Sequence, residues 1–377
     1  MKLLFATDSL KGSLSSKEAA LLLDKAARSV LGDIETVLIS MADGGEGTVD
    51  AVLDASGGKR ESCLVHDPLM GMVEASYAGV KGELAVMEMA AASGLPLIEG
   101  SMRDARYTTS YGTGEMILDA VEKGYKYIAM GLGGSATNDG GMGMLRALGA
   151  KFYNEDGKEL EGRGIDLCSL EAIDLSELDE RLNDISFTVM SDVTNTLTGE
   201  NGATMVYGPQ KGADEETLKM LEAGMCKYRD ILNVLTGIDC DNVTSAGAAG
   251  GIGAAMYAVL GAEVRSGIEA ILDLVGFDKK LVGTDLVITG EGRADSQSVN
   301  GKVMQGVGQR AKKAGVPAVG LVGSLGDGWE AVLSCGISRL FYIKDDDMSL
   351  EYAIENAERL YYDMAVRLFE EYKDGSL

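Results

Sequence analysis

The sequence holds a single histidine, His66. A Ser-His-Asp mechanism would have to hang on it, yet it stands before Asp67-Pro68 and reads as a turn residue. Cysteine is sparse too. Cys63, Cys168, Cys226, Cys240 and Cys335 make an odd set of five with no close pair, which argues against a disulfide framework or a structural zinc site and fits free thiols in a reducing compartment. Positive charge is short: 34 Lys and Arg face 59 Asp and Glu, a net charge of -25. So acidic a surface repels nucleic acid and anionic membranes, and neither is expected as a partner. It also repels small anions, so an anionic substrate would require a local patch of Lys, Arg, backbone N–H groups or bound Mg²⁺. Long apolar runs are missing. Leu3-Leu4-Phe5-Ala6 is too short for a signal peptide and reads as a first buried strand. The uncharged stretch 246–262, rich in Gly and Ala and flanked by Asp241 and Glu263, reads as a packed internal helix rather than a membrane span. These readings place the chain in the cytoplasm. Three sequence signatures are also absent: the Gly-x-x-x-x-Gly-Lys-[Ser/Thr] loop, a Gly-x-Gly-x-x-Gly after the first strand, and the protein-kinase set. Any general base is then expected to be a carboxylate.

Proline is scarce at 4 residues while glycine is abundant at 51, a balance that suggests many tight turns between strands and helices. With 377 residues, two domains are the default, and 46% hydrophobic with 25% charged residues is globular composition. Short apolar runs end repeatedly at Gly, Asp or Ser: Leu3 to Thr7, Thr36 to Ser40, Tyr127 to Met130, Phe187 to Met190, Leu286 to Thr289, Ala318 to Val322 and Arg339 to Ile343. Helical patterns lie between them, as over 17–31, where Ala19, Leu22, Leu23 and Ala26 share a face, and over 115–123, 142–149 and 303–315. Strand, polar turn, helix is the signature of parallel α/β sheets, whose ligands bind at the carboxyl ends of the strands. The clearest open-sheet strands lie at the two ends of the chain. The middle therefore reads as an inserted domain, giving one domain of residues 1–60 plus 285–377 and an inserted α/β domain of 61–284. The charged stretch 174–184 reads as a solvated helix.

The polar residues at those strand ends carry the chemistry. Asp8-Ser9-Leu10-Lys11-Gly12-Ser13 puts a carboxylate, hydroxyls and an ammonium in one turn, the parts phosphoryl transfer needs. Ser15 with Glu18 also spells a capping box for the helix that follows. In Asp43-Gly44-Gly45-Glu46-Gly47-Thr48 the glycines let backbone amides approach an anion, and Asp43 and Glu46 are candidate metal carboxylates; the alternative is a plain capped turn. Thr109-Ser110-Tyr111-Gly112-Thr113-Gly114 is a hydroxyl-rich helix start that suits either a carboxylate or phosphate, or ordinary capping. The run 131–141, with Gly133, Gly134, Ser135, Thr137 and Asn138, reads as a phosphate or nucleotide loop. Asp192, at the end of a strand, is the candidate acceptor of a hydroxyl proton, with an Asx turn as the alternative. Arg293 and Lys302, near Asp295, are rare cations at a strand end and suit phosphate or carboxylate; a surface salt bridge is the other reading.

Taken in order, these blocks resemble the bacterial type-1 glycerate kinase family. The likeness rests on Asp8 to Leu14, Ala42 to Thr48, Asp67-Pro68-Leu69, Ser110 to Gly114, 131–141, Ser191-Asp192-Val193 and Gly290 to Ser296, and spans nearly the whole chain. One departure is visible: Leu69-Met70-Gly71-Met72 lacks the Arg that family members usually carry there. The resemblance implies a flavodoxin-like parallel-sheet domain interrupted by a second α/β domain, and ATP-dependent phosphorylation of D-glycerate, usually at the 2-hydroxyl, with Mg²⁺. On that reading Gly44, Gly45, Gly133, Gly134, Ser135, Thr137 and Asn138 hold ATP, with Mg²⁺ on Asp43 and Glu46. Ser9, Ser110, Thr113, Asp295 and Lys302 hold substrate. Lys11 and Arg293 neutralise the transferring phosphoryl group or the glycerate carboxylate, and Asp192, or else Asp8, takes the proton. A kinase for another hydroxy acid and a non-catalytic anion sensor remain as alternatives, and a homo-oligomer stays open.

Overall fold

The computed structural model describes residues 1–377 apart from 43, 300 and 346. In chain order the strands are β1 (Lys2–Thr7), β2 (Glu35–Ser40), β3 (Lys59–His66), β4 (Met72–Val80), β5 (Leu84–Glu88), β6 (Tyr127–Gly131), β7 (Lys151–Asn154), β8 (Leu170–Asp174), β9 (Ser186–Met190), β10 (Glu263–Arg265), β11 (Leu286–Gly290), β12 (Arg293–Ala294), β13 (Ala318–Val322), β14 (Ser324–Leu325) and β15 (Ile337–Tyr342). The α-helices are α1 (Ser16–Leu31), α2 (Thr48–Ser56), α3 (Ala90–Ser93), α4 (Tyr111–Glu122), α5 (Met142–Ala147), α6 (Ala203–Tyr207), α7 (Glu215–Thr236), α8 (Ile252–Ala258), α9 (Gly267–Leu274), α10 (Phe277–Leu281), α11 (Val303–Ala314), α12 (Leu350–Glu355) and α13 (Ala357–Asp374). The chain is thus α/β, and it divides into two compact units: Met1–Asp43 with Asp50–Gly57 and Ser266–Leu377, and Gly44–Val49 with Gly58–Arg265.

The first unit is built on a parallel sheet in the order β15-β13-β11-β1-β2. Its central strands are apolar throughout because helices cover both faces: Leu3, Leu4, Phe5 and Ala6 are fully buried, as are Val287 and Ile288. α1 turns Ala19, Leu22, Leu23 and Ala26 inward and packs on α13, whose Phe369 ring lies 6.0 Å from that of Phe5. The expected capping box forms, with the Glu18 amide donating to Ser15 and the Ser15 amide to the Glu18 carboxylate. The second chain segment of this unit's sheet brings α9 and α10 with it from Ser266 onward, ahead of the boundary at 285 expected from the strand pattern. Arg310 of α11 gives the reason: its guanidinium pairs with Glu269 (2.5 Å) and Asp273 (2.8 Å) of α9 and Asp278 (2.8 Å) of α10.

The second unit has a mixed sheet, β10-β9-β6-β5-β4-β3, parallel through β5 and antiparallel for β4 and β3, plus a small β7-β8 ladder. Three local expectations change. Only 252–258 of the stretch 246–262 is α-helix, because Ala249, Gly250 and Gly251 all take positive φ ahead of it. Residues 174–184 hold the end of β8 and a 3₁₀ turn, Glu180–Asp184, rather than a helix. His66 closes β3 instead of sitting in a turn: its amide and Nδ1 both meet the carboxylate of Glu115 on α4, at 2.7 and 2.9 Å. Among the described residues no helix is long and apolar enough to cross a membrane.

Candidate active site

Within the first unit, the loops leaving β1, β11 and β13 are pressed together. A Cβ on Gly290 would come within 1.9 Å of the Leu321 carbonyl, and one on Gly323 within 2.3 Å of the Gly292 carbonyl. The β12-β14 pair then ties Arg293 to Ser324. These loops wall a cavity of about 580 Å³ lined by Asp8, Ser9, Lys11, Arg293, Asp295 and Lys302, all singled out from the sequence, together with Glu291, Lys344 and an apolar side to which α12 contributes. Arg293 stands 3.8 Å from Asp295, and Lys302 stands 4.0 Å from the buried Glu291. Lys11 is exposed and makes no ion pair with a described residue. Lys302 is also the N-cap of α11 and supplies no side-chain cap, so the positive end of that helix dipole adds to the cationic side.

Metal binding asks little more of such a wall. No group of three or more His, Cys, Asp or Glu among the described residues is arranged to hold a metal by itself. Mg²⁺, however, usually takes one or two carboxylates and leaves the remaining positions to water and phosphate oxygens. Asp8 and Asp295 are hard oxygen donors of that kind.

The remaining expected residues, Asp43 apart, lie in the second unit. Asp43 is outside the described residues, and Glu46 is exposed on the loop ahead of α2. The glycines of 131–141 serve close backbone packing: a Cβ on Gly131 would fall 2.1 Å from the Gly44 carbonyl, and one on Gly133 would fall 2.9 Å from the Cα of Gly45. Gly134, at φ +76°, has only Ala90 near its Cβ position. Ser135 is nearly buried, and Thr137 and Asn138 are wholly so, with the Asn138 amide donating to Thr204. Thr113 is buried against the Ser93 hydroxyl at 2.8 Å. Ser110 caps nothing on its own helix. Its amide and hydroxyl donate to Asp139, and its Oγ accepts from Met144 of α5. Asp192 is half-buried on the loop after β9.

Nearly the whole chain, residues 3–373, matches the model of the glycerate kinase family. The chain belongs to that family. Among the family's curated members it is 45% identical to the glycerate 2-kinase of Escherichia coli K12 and 42% identical to a glycerate kinase of Halalkalibacterium halodurans, each alignment covering 95% of this chain and 94% of the relative. A crystal structure of a candidate glycerate kinase 2 from Salmonella typhimurium LT2 superposes with a TM-score of 0.88 at 40% identity, covering 100% of this chain and 99% of the other.

Three residues of this family member, two of them lining the cavity, were not singled out from the sequence. Lys344 and Glu291 follow strands that were read correctly, so the rule of strand ends already pointed to them. Lys211 gave no signal, being one lysine between Gln210 and Gly212. It is fully buried, and its Nζ donates to the Thr137 carbonyl at 2.7 Å, beneath the glycine-rich loop. Burial pushes its ammonium down to about 7, with the Asp139 carboxylate opposing the shift. A lysine with a depressed native pKa binds fewer protons folded than unfolded between about 7 and the ordinary lysine value of 10.5. Stability therefore rises with pH across that window. Thermal melts of wild type and Lys211→Met at pH 7 and 9.5 check this: the wild type should gain stability relative to the variant at the higher pH, and parallel curves would contradict the expected titration.

Proposed function

We propose that this chain transfers the γ-phosphoryl group of ATP to the 2-hydroxyl of D-glycerate, giving 2-phosphoglycerate and ADP. One observation carries the reading. In a chain of net charge -25, the cavity of the first unit gathers Lys11, Arg293, Lys302 and Lys344. Both substrates are anions that the bulk surface repels, and this is the local patch that the chemistry requires. The strand order supports a flavodoxin-like first unit. Numbered by appearance, β15-β13-β11-β1-β2 runs 5-4-3-1-2, the flavodoxin order read from the other edge. Its topological switch point lies between β1 and β11, the strands whose loops carry Lys11 and Arg293. The names of the E. coli and H. halodurans relatives support the acceptor.

In the reaction the substrate hydroxyl oxygen bonds to the γ-phosphorus, the bond from that phosphorus to the bridging oxygen breaks, and ADP leaves with the electron pair. The hydroxyl proton passes to a carboxylate, Asp192 in our assignment and Asp8 as the alternative. Lys11 and Arg293 balance the charge that spreads over the phosphoryl oxygens, and most of the rate comes from this and from positioning. Mg²⁺ brought with ATP would be held by Asp8 and Asp295 of the cavity and would neutralise the β- and γ-phosphates.

A coupled assay with ATP, Mg²⁺ and D-glycerate tests the proposal. Product consumed directly by enolase is expected. Product that needs added mutase would move the phosphate to the 3-hydroxyl. No ADP with D-glycerate, but ADP with another hydroxy acid, would replace the acceptor.

A further inference from the structure

The cavity of the first unit is larger and less polar than glycerate alone would require. Its apolar side is formed by Leu325 and Ile343 and by Leu350, Ala353 and Ile354 of α12. Leu350 and Ile354 stand at i and i+4 on one helix face, are 60% and 40% exposed, and together with Leu325 and Ile343 make a contiguous apolar lining of the cavity. Ala353 between them is short, leaving a low floor between two branched rims. Glycerate is small and almost wholly polar, so it gains nothing from such a surface and cannot fill about 580 Å³, a volume in the range of pockets for much larger ligands. The other side of the cavity carries Lys11, Arg293, Lys302 and Lys344 with the carboxylates Asp8 and Asp295. Only an amphipathic ligand, with a flat apolar body and a polyanionic tail, uses both.

We infer that this cavity is the nucleotide site, with the adenine of ATP on the apolar face of α12 and the phosphates among Lys11, Arg293, Lys302 and Lys344. This assigns to the first unit the nucleotide that the glycine-rich loops of the second were expected to hold. The packing in those loops agrees, since Gly131 and Gly133 meet backbone and Thr137 and Asn138 are closed off. The inference rests on the reading of ATP as phosphoryl donor. It also commits α12, which no sequence motif marked, to a role in binding.

The experiment is a titration of the full chain with the non-hydrolysable analogue AMP-PNP and Mg²⁺, by calorimetry, on wild type, Leu350→Asp and Ile354→Asp. Both positions are exposed, so the variants should fold; a melting curve checks this, and Leu350→Ala serves as a milder second variant. Each aspartate should weaken AMP-PNP binding by roughly 30-fold or more, the loss expected of a central contact residue, while the KM for D-glycerate stays within about twofold. Unchanged AMP-PNP affinity in both folded variants would overturn the inference, and so would a raised KM for D-glycerate with an unchanged KM for ATP. Wild type that binds no AMP-PNP would overturn the inference and the ATP reading together. Wild type that binds AMP-PNP, loses it in the variants and yet does not phosphorylate D-glycerate would support the nucleotide site and reject the proposed acceptor.

Discussion

Replacing Lys11 by Met should lower kcat/KM for ATP-dependent phosphorylation of D-glycerate by roughly 10²- to 10³-fold, the effect of removing one preorganised positive group from a developing anion. Stability should change by no more than about 0.5 kcal/mol, because the side chain is exposed and unpaired with any described residue. That separation is what makes Lys11 the cleanest probe of the cavity. Lys302 lies on the same wall, but its ammonium stands 4.0 Å from the buried Glu291 carboxylate, so a loss of activity on removing it mixes chemistry with folding. Arg293 would release Asp295 in a similar way. Steady-state kinetics with a melting curve decide the matter, and Lys11→Arg, which keeps the charge, should recover part of the rate. Near-wild-type turnover in Lys11→Met would remove this residue from the mechanism.

Asp139→Ala should cost about 3–5 kcal/mol of stability, the penalty for breaking a buried charged network by deleting one member. Asp139 is fully buried and accepts from the Ser110 amide and hydroxyl, both at 2.7 Å, from the Gly141 amide at 3.1 Å and from the Gly143 amide at 3.2 Å. Burial pushes its carboxyl upward, and these donors act against that shift by stabilising the ionised form. Without the carboxylate the donors of α4, α5 and the glycine-rich loop lose their common acceptor, and Lys211 loses its opposing charge. Lys211→Met should therefore rescue part of the loss. A double-mutant cycle read by urea denaturation checks the coupling, and strictly additive losses would show that the two residues act independently.

The sequence was most legible where one physical rule covered several residues. Continuous apolar runs such as Leu3 to Ala6 specify strands buried on both faces, and the polar residues after them land where a parallel sheet binds ligands. Asp8, Lys11, Arg293 and Lys302 therefore reached one cavity although Lys11 and Arg293 are far apart in the chain. Antiparallel β3 and β4 were harder to see, because their residues alternate and their pairing depends on a neighbour. The glycine-rich run 131–141 was legible as special, but composition does not separate a loop that admits a ligand from one that admits another backbone, and Gly131 against Gly44 is of the second kind. Leu350, Ala353 and Ile354 were not legible as a site: on the page they are an ordinary amphipathic turn, and only the cavity beside them shows that no core covers them.

The pairing of β1 with β11, Leu3 beside Leu286, also sets a timetable for synthesis. When the ribosome has made β1 and β2, the apolar edge of Leu3, Leu4 and Phe5 has no partner strand. At about 5–20 residues per second, β11 emerges roughly a quarter of a minute to a minute later. The second unit, whose strands from β3 to β10 are all contiguous in that interval, can mature while the first is still an open half-sheet. Slowing translation across the second unit should thus lengthen the exposure of a sticky edge at the amino end. A nascent chain halted before residue 286 is the species in which trigger-type chaperone contact should concentrate on residues 2–7.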